Sequence, residues 1–358
     1  DADKNTPTAK PQTVKVGDKP KAEDSIGNVK DLPKGTKVAF KDPVDTATPG
    51  EKDVTVVAKL NGQPIVEVPA KVVVVDPKTQ YVVADPSKPQ PDASKSIDPE
   101  QYPDGVTFKY KTPVDTTTPG EKDVIVEAKD GEDKLVEVPT KVKVVQGYPQ
   151  IVPVDEGKKQ PSPEDSIDSN DYPDDATFEY KEEVNTSEAG DKNVTVVVKD
   201  KAGNKLVEVP ATVRVVESYP QYVPVNKEGI SPKDSIDPSK FPEGTTFEYK
   251  EKPNTGSTGD KDVTVVAKLG TEIVAEIPAK IVVVDSKTQY VAENKENTQP
   301  DASKSVDEEN YPEGSKFKFK EPVETSKAGD KETTVVVTDK DGNPLVEVPA
   351  TVVVAKGY

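Results

Sequence analysis

The sequence predicts an all-β protein made of five tandem β-sandwich repeats of about 70 residues each. Two phase markers carry the period. Gly50, Gly120, Gly190, Gly259 and Gly329 recur at intervals of 70, 70, 69 and 70 residues, and Ile26, Ile97, Ile167, Ile236 and Val306 each follow a serine, in DSIG, KSID, DSID, DSID and KSVD. The third observation lies inside a copy, where short Val-rich runs alternate apolar with polar residues between Gly, Pro and Asp turns, the pattern of half-buried strands.

Taken in order through the second copy, QYVV from Gln80 reads as an opening strand, as do QIVPV from Gln150, QYVPV from Gln221 and QYVA from Gln289 in later copies. DASKSIDPEQYPDG (Asp92 to Gly105) begins like a capped helical turn and is stopped by Pro103 and Gly105, so one short helix or 3₁₀ turn is expected. In VTFKY, Val106, Phe108 and Tyr110 alternate with Thr107 and Lys109, giving a strand that supplies the aromatic part of the core. The strongest strand follows Gly120, where Val124, Val126 and Ala128 alternate with Ile125 and Glu127, one face buried and the other partly wet. A Gly-bearing hairpin turn comes next, written Asn61-Gly62, Asp130-Gly131, Ala202-Gly203, Leu269-Gly270 and Asp341-Gly342. LVEVP (Leu135 to Pro139) and KVKVV (Lys141 to Val145) complete the copy. Pro139, which has no N–H to donate, marks either a strand edge or a break between two short strands.

The links between copies, such as DPKTQ before Tyr81 and ESYPQ before Tyr222, are too short to act as flexible tethers. The expected organisation is a disordered linker over 1–13, then repeats over 14–76, 77–146, 147–217, 218–285 and 286–358, arranged as an elongated rod.

Composition excludes several function classes. With 66 Asp and Glu against 48 Lys and Arg, the formal charge is −18, which argues against nucleic acid, whose phosphates need a basic stripe. The same acidity favours solubility and keeps like repeats from adhering. There is no Cys, so disulfides, thiolate zinc sites and cysteine nucleophiles are out; there is no His, so a Ser triad lacks its base. No run approaches the length of a membrane span, no signal or sorting segment is visible, and the absence of an initiator Met suggests a mature or excised piece.

AEDSIGNVKDLPKGTKVAFKDPVDTATPGEKDVTVVAKLNGQPIVEVPAKVVVV (Ala22 to Val75) resembles the Rib/alpha-like repeat of Gram-positive cell-wall-anchored surface proteins, through LPKGT, PVDT before TPGEKDVTV, and the closing VEVPAKVVVV. The likeness extends over all five copies, although the later four replace GNVKDLPKG by forms such as DPEQYPDG and DSNDYPDD. The resemblance implies small immunoglobulin-like sandwiches, a tandem stalk that projects a distal binding region from the wall, and no catalytic residues.

Four features are candidates for sites. Close carboxylates occur throughout, and solvated surface explains them. DKDGN (Asp339 to Asn343) opens like a calcium loop but lacks its later acidic ligand, so a hairpin turn is expected. Asp45, Asp115, Asn185, Asn254 and Glu324 form the one column that an intramolecular Lys–Asn isopeptide could use, yet its chemistry varies and a loop position fits better. Tyr81, Tyr148, Tyr219, Tyr222 and Tyr290 sit at or near junctions and are expected to pack adjacent repeats together. No catalytic, cofactor or metal residue is assigned. The expected function is a non-enzymatic, monomeric stalk on a Gram-positive cell wall, contacting its own adjacent repeats and reaching host or bacterial ligands only through regions outside this sequence. The alternative is a multivalent adhesin whose copies each bind a ligand weakly.

Overall fold

In a computed structural model, residues 6–357 are described. The strands are β1 (Gln12–Lys15), β2 (Thr36–Phe40), β3 (Gly50–Leu60) and β4 (Gln63–Val75) in the first repeat, and β5 (Gln80–Val83), β6 (Val106–Tyr110), β7 (Gly120–Asp130) and β8 (Asp133–Val145) in the second. The third has β9 (Gln150–Pro153), β10 (Thr177–Tyr180), β11 (Gly190–Lys199) and β12 (Lys205–Val216). β13 (Gln221–Pro224), β14 (Thr246–Tyr249), β15 (Gly259–Leu269) and β16 (Glu272–Val284) build the fourth, and β17 (Gln289–Ala292), β18 (Lys316–Phe319), β19 (Gly329–Thr338) and β20 (Pro344–Ala355) the fifth. The chain divides into two compact units. One comprises Asp1–Tyr148, Ile167–Lys181 and Thr195–Ala211; the other comprises Pro149–Ser166, Glu182–Val194 and Thr212–Tyr358.

Each repeat is a four-stranded sheet in the order opening strand, fourth, third, second. A long antiparallel hairpin, β7 with β8 in the second repeat, forms its centre. The opening strand β5 runs parallel to the last four residues of β8, Val142–Val145, while β6 pairs with the far half of β7, Val126–Asp130. Each flanking strand therefore extends a different half of the hairpin. This resolves the role of Pro139: β8 is unbroken through it, and it lies beyond the stretch covered by β5, so its missing donor falls where β8 is still an edge. At the hairpin turn Asn61 and Gly62 both take positive φ, 52° and 80°, the twist that matches right-handed strands.

The serine of the second phase marker is a buried pin. Ser25, Ser96, Ser166, Ser235 and Ser305 are all 0% exposed. Ser96 donates to the Gln80 Oε1 of the opening strand at 3.0 Å, and Gln289 Nε2 donates to Ser305 Oγ at 3.1 Å. A buried hydroxyl must be satisfied, so this pair fixes the 3₁₀ region against the opening strand. That region holds two consecutive 3₁₀ turns, Ala93–Ser96 and Pro99–Gln101, where the sequence suggests one. The second arises because Asp98 caps the Glu100 N–H and Pro99 pre-sets φ at the first position.

The first repeat has an opening strand as well. The sequence reads residues 1–13 as disordered linker, yet Gln12 and Thr13 belong to β1, and Ala9 bridges Ile26 as Pro77 bridges Ile97. Gln12 Nε2 donates to Ser25 Oγ at 2.6 Å, so the same pin operates there. The alternation in KPQTVK is too short to separate from a tail by pattern. Residues 1–5 of that segment lie outside the described residues.

The core explains why the closing strand ends on adjacent valines where the alternation breaks. In β8, Val136, Val138, Val142 and Val144 face their own repeat, with Phe108, Tyr110 and Ile97. Val145 points the other way and packs with Ile167, Tyr172, Val196 and Val198 of the third repeat. Val73 and Val75 do the same onto the second repeat, Val216 onto the fourth, and Val282 and Val284 onto the fifth. A strand end buried on both faces needs apolar residues at both parities.

One link is fitted still more closely. A Cβ built on Gly147 would lie 2.2 Å from the Pro210 carbonyl oxygen and 2.8 Å from Ala211 Cβ, a backbone approach that only glycine allows. Gly147→Ala is therefore expected to lower stability by about 1–3 kcal/mol through overpacking. Ser218→Ala, at the equivalent place one repeat later, should change it by less than about 0.5 kcal/mol. Urea midpoints of the two variants measure this, and an unchanged midpoint for Gly147→Ala would show that the close approach is not maintained in solution.

Candidate functional site at the repeat junctions

The junctions concentrate the aromatic chemistry of the chain. The first is polar. Tyr102 OH donates to Asp76 Oδ1 at 2.6 Å, and the Asp98 N–H donates to Asp76 Oδ2 at 2.7 Å. Burial raises the Asp76 carboxyl above its ordinary value against these two hydrogen bonds, and burial followed by the Asp76 contact pushes the Tyr102 hydroxyl far up. Tyr102 also meets Phe108 edge-on at 5.1 Å.

The second and fourth junctions are stacked. Tyr81 of β5 lies on Tyr172 with centroids 5.6 Å apart and planes at 21°, and Tyr222 of β13 lies on Tyr311 at 5.8 Å and 20°. Each lower ring then meets a phenylalanine of its own repeat edge-on, Phe178 and Phe317. Offset and T-shaped pairs of this kind add about 0.5–1.5 kcal/mol beyond area burial. The hydroxyls of Tyr172 and Tyr311 are buried without a partner, and burial pushes the Tyr311 group up to about 12.

The third junction carries a single ring and an ion pair. Ile151 of β9 and Val216 pack against the cluster containing Phe241, which meets Phe247 edge-on at 5.1 Å. Arg214, the one arginine in the sequence, donates Nε and Nη2 to the two carboxylate oxygens of Asp191 at 2.7 and 3.1 Å, and Nη1 to the Lys240 carbonyl at 2.9 Å. The fork lies within repeat three, between β12 and β11, and holds the guanidinium so that its Nη1 reaches the 3₁₀ turn of repeat four, a geometry that lysine could not reproduce.

The tyrosines expected at junctions divide. Tyr81 and Tyr222 are there. Tyr148 and Tyr219 are 36% and 42% exposed, so their rings do not cement the two central junctions as the sequence suggests; Tyr219 uses its backbone N–H, to the Ser235 carbonyl, and its hydroxyl reaches Glu217. Tyr290 is 73% exposed. The residues missed are Tyr102, Tyr172, Phe241 and Tyr311, one aromatic before each Pro of QYP, DYP, KFP and NYP. Their constant phase is the available signal, and the stop reading of the following Pro obscures it.

The other candidates resolve into turns. Asp45, Asp115, Asn185, Asn254 and Glu324 each accept the N–H two residues on, at 3.0 to 3.1 Å, which is the Asx-turn arrangement and its glutamate analogue. Asp339 accepts from the Asp341 and Asn343 N–H groups at 2.9 and 2.8 Å, and Gly342 there has φ 85°, so DKDGN closes a hairpin. Among the described residues no group of three or more acidic, His or Cys side chains is placed to hold a metal ion, and no helix is long and apolar enough to cross a membrane.

Comparison with known proteins agrees with the repeat geometry. The Rib domain family profile matches five times in tandem, at residues 1–76, 75–146, 145–217, 216–285 and 285–356. The chain belongs to the Rib domain family. Rib domains are immunoglobulin-like, occur in Gram-positive surface proteins and form a structural repeat family, not an enzyme family. Among solved structures the chain is similar to Rib R28N from Streptococcus pyogenes, with 35% identity over 19% of this chain and 90% of that one, at a TM-score of 0.19. It also matches Drosophila N-cadherin EC1-3 with 12% identity, 59% and 98% coverage and a TM-score of 0.19. The Protocadherin GammaB4 extracellular domain matches with 11% identity, 99% and 85% coverage and a TM-score of 0.13. No curated protein matches the chain.

The two kinds of tyrosine junction should respond oppositely to loss of a hydroxyl. Tyr102→Phe removes the partner of one oxygen of the part-buried Asp76 carboxylate and is expected to cost about 1–2 kcal/mol. Tyr172→Phe and Tyr311→Phe remove groups that bond nothing and are expected to be neutral or stabilising by up to about 1 kcal/mol. Thermal denaturation of the three variants distinguishes them, and a loss in Tyr172→Phe as large as in Tyr102→Phe would contradict the assignment.

Proposed function

We propose that this chain is a non-enzymatic structural stalk of a surface protein attached to a Gram-positive cell wall, with tandem Rib repeats holding a distal binding region away from the cell. The observation that carries the reading is the two-faced closing strand. Each of the first four repeats buries the outer face of its last strand on its successor, through Val75, Val145, Val216 and Val284. A repeat whose end is part of the next repeat's core resists bending at the link, and resistance to bending is what a spacer requires. The surface chemistry fits the same role. Many of the salt bridges are exposed pairs such as Lys41–Glu67 and Lys320–Glu347, worth little each but sustaining solubility.

Five domains of about 30 Å or somewhat more, placed end to end, should span about 150–200 Å. Small-angle X-ray scattering on the whole chain is expected to give a maximum dimension in that range, unchanged by moderate salt. A value below about 80 Å would mean a folded-back chain and would overturn the stalk.

A further inference from the structure

The third junction differs from its neighbours in a way that opens a site. At the second and fourth junctions a tyrosine from the opening strand packs on the next repeat's core cluster, Tyr81 on the same cluster as Leu206 and Val207, and Tyr222 on the same cluster as Leu345 and Val346. At the third junction the equivalent residue is Ile151, packed with Val274. Beside the smaller side chain lies a groove of about 530 Å³. Ile151, Pro153, Pro242 and Ile273 give it an apolar lining, and Asp165, Glu272 and Glu276 lie along it. Ile273 is 53% exposed. Of the three carboxylates, Glu276 has Lys250 at 3.5 Å, and among the described residues no ion pair involves Asp165 or Glu272.

We propose that this groove receives an aromatic side chain carried on an extended basic segment of another protein. The ring packs beside Ile151 and Ile273, next to the place that Tyr81 and Tyr222 fill at the other two junctions, and flanking lysines or arginines meet Asp165 and Glu272. Two observations select that partner over others. The interface type is already built twice in the chain with a tyrosine as the inserted group, and the only charges lining the groove are negative. Recognition runs through side chains. β9 is an edge strand, but Pro149 and Pro153 bracket Gln150–Val152 and remove two donors that an added strand would need. The proposal is independent of the stalk reading, since a spacer can carry a lateral site or lack one.

The test uses the whole chain with labelled isoleucine δ1 methyls, titrated with acetyl-Lys-Tyr-Lys-amide and, separately, acetyl-Glu-Tyr-Glu-amide. Saturable shifts confined to Ile151 and Ile273 are expected with the lysine peptide. Binding of the glutamate peptide should be about five- to tenfold weaker, the value of two exposed ion pairs. Ile151→Tyr fills the groove from within and should abolish the shift at Ile273. Glu272→Lys, an exposed change that leaves packing intact, should narrow or reverse the preference. Absence of a saturable shift with the lysine peptide, equal affinity for both peptides, or undiminished binding in Ile151→Tyr would each overturn the proposal.

Discussion

The structure depends on one constraint, that the end of the closing strand of each of the first four repeats is buried on both faces by two different repeats. In β8, Val142 and Val144 belong to the second repeat and Val145 to the third, all within the last turn of pleat of one strand. Small repeats of this length bury little apolar surface and are marginal alone. Sharing a strand end adds a neighbour term to each without lengthening any. The short links follow from the same constraint, because a strand already packed on its successor leaves only a few residues before the next opening strand. The Gln–Ser pin then sets where that opening strand lies, satisfying a buried hydroxyl that would otherwise cost about 1–3 kcal/mol.

Within this frame one position is solved in three ways across four junctions. The ring column Tyr102, Tyr172, Phe241 and Tyr311 always contributes an apolar face, and what meets it changes: a carboxylate, a tyrosine, an isoleucine and again a tyrosine. The polar solution gains a charge-assisted hydrogen bond and bears the desolvation of Asp76. The stacked solutions gain ring contact and leave two hydroxyls unbonded. The isoleucine solution is the one supplemented by the Arg214–Asp191 fork. The shared strand is common to all four links, whereas the individual character of each lies in these substitutions.

Much of the repeat is legible in the amino-acid sequence. The period, the hairpin, the β6-type aromatic strand and the glycine turns all follow from alternation and turn chemistry, and the fold has them at the expected residues. The reading of Asp339–Asn343 and of the Asp45 column as turns also stands. Three things are not legible, each for a physical reason. Val72–Val75 reads as one apolar run, and periodicity cannot say that its two faces serve different repeats. The opening strand of the first repeat is four residues long with one valine, too little pattern to separate from a tail. Tyr148 and Tyr219 look like cement because they stand in the links, but a link residue beside a proline can point outward, and the rings that matter stand in the 3₁₀ region, at Tyr172 and Phe241, well downstream in sequence.

The most direct test of shared burial is a double-mutant cycle across the second junction, with Tyr81→Ala and Tyr172→Ala made singly and together and unfolding free energies taken from urea titrations. Two residues from different repeats that stabilise one interface should couple by about 0.5–1.5 kcal/mol. A coupling energy indistinguishable from zero would mean that the repeats fold as independent beads and that the closing strand serves only its own core.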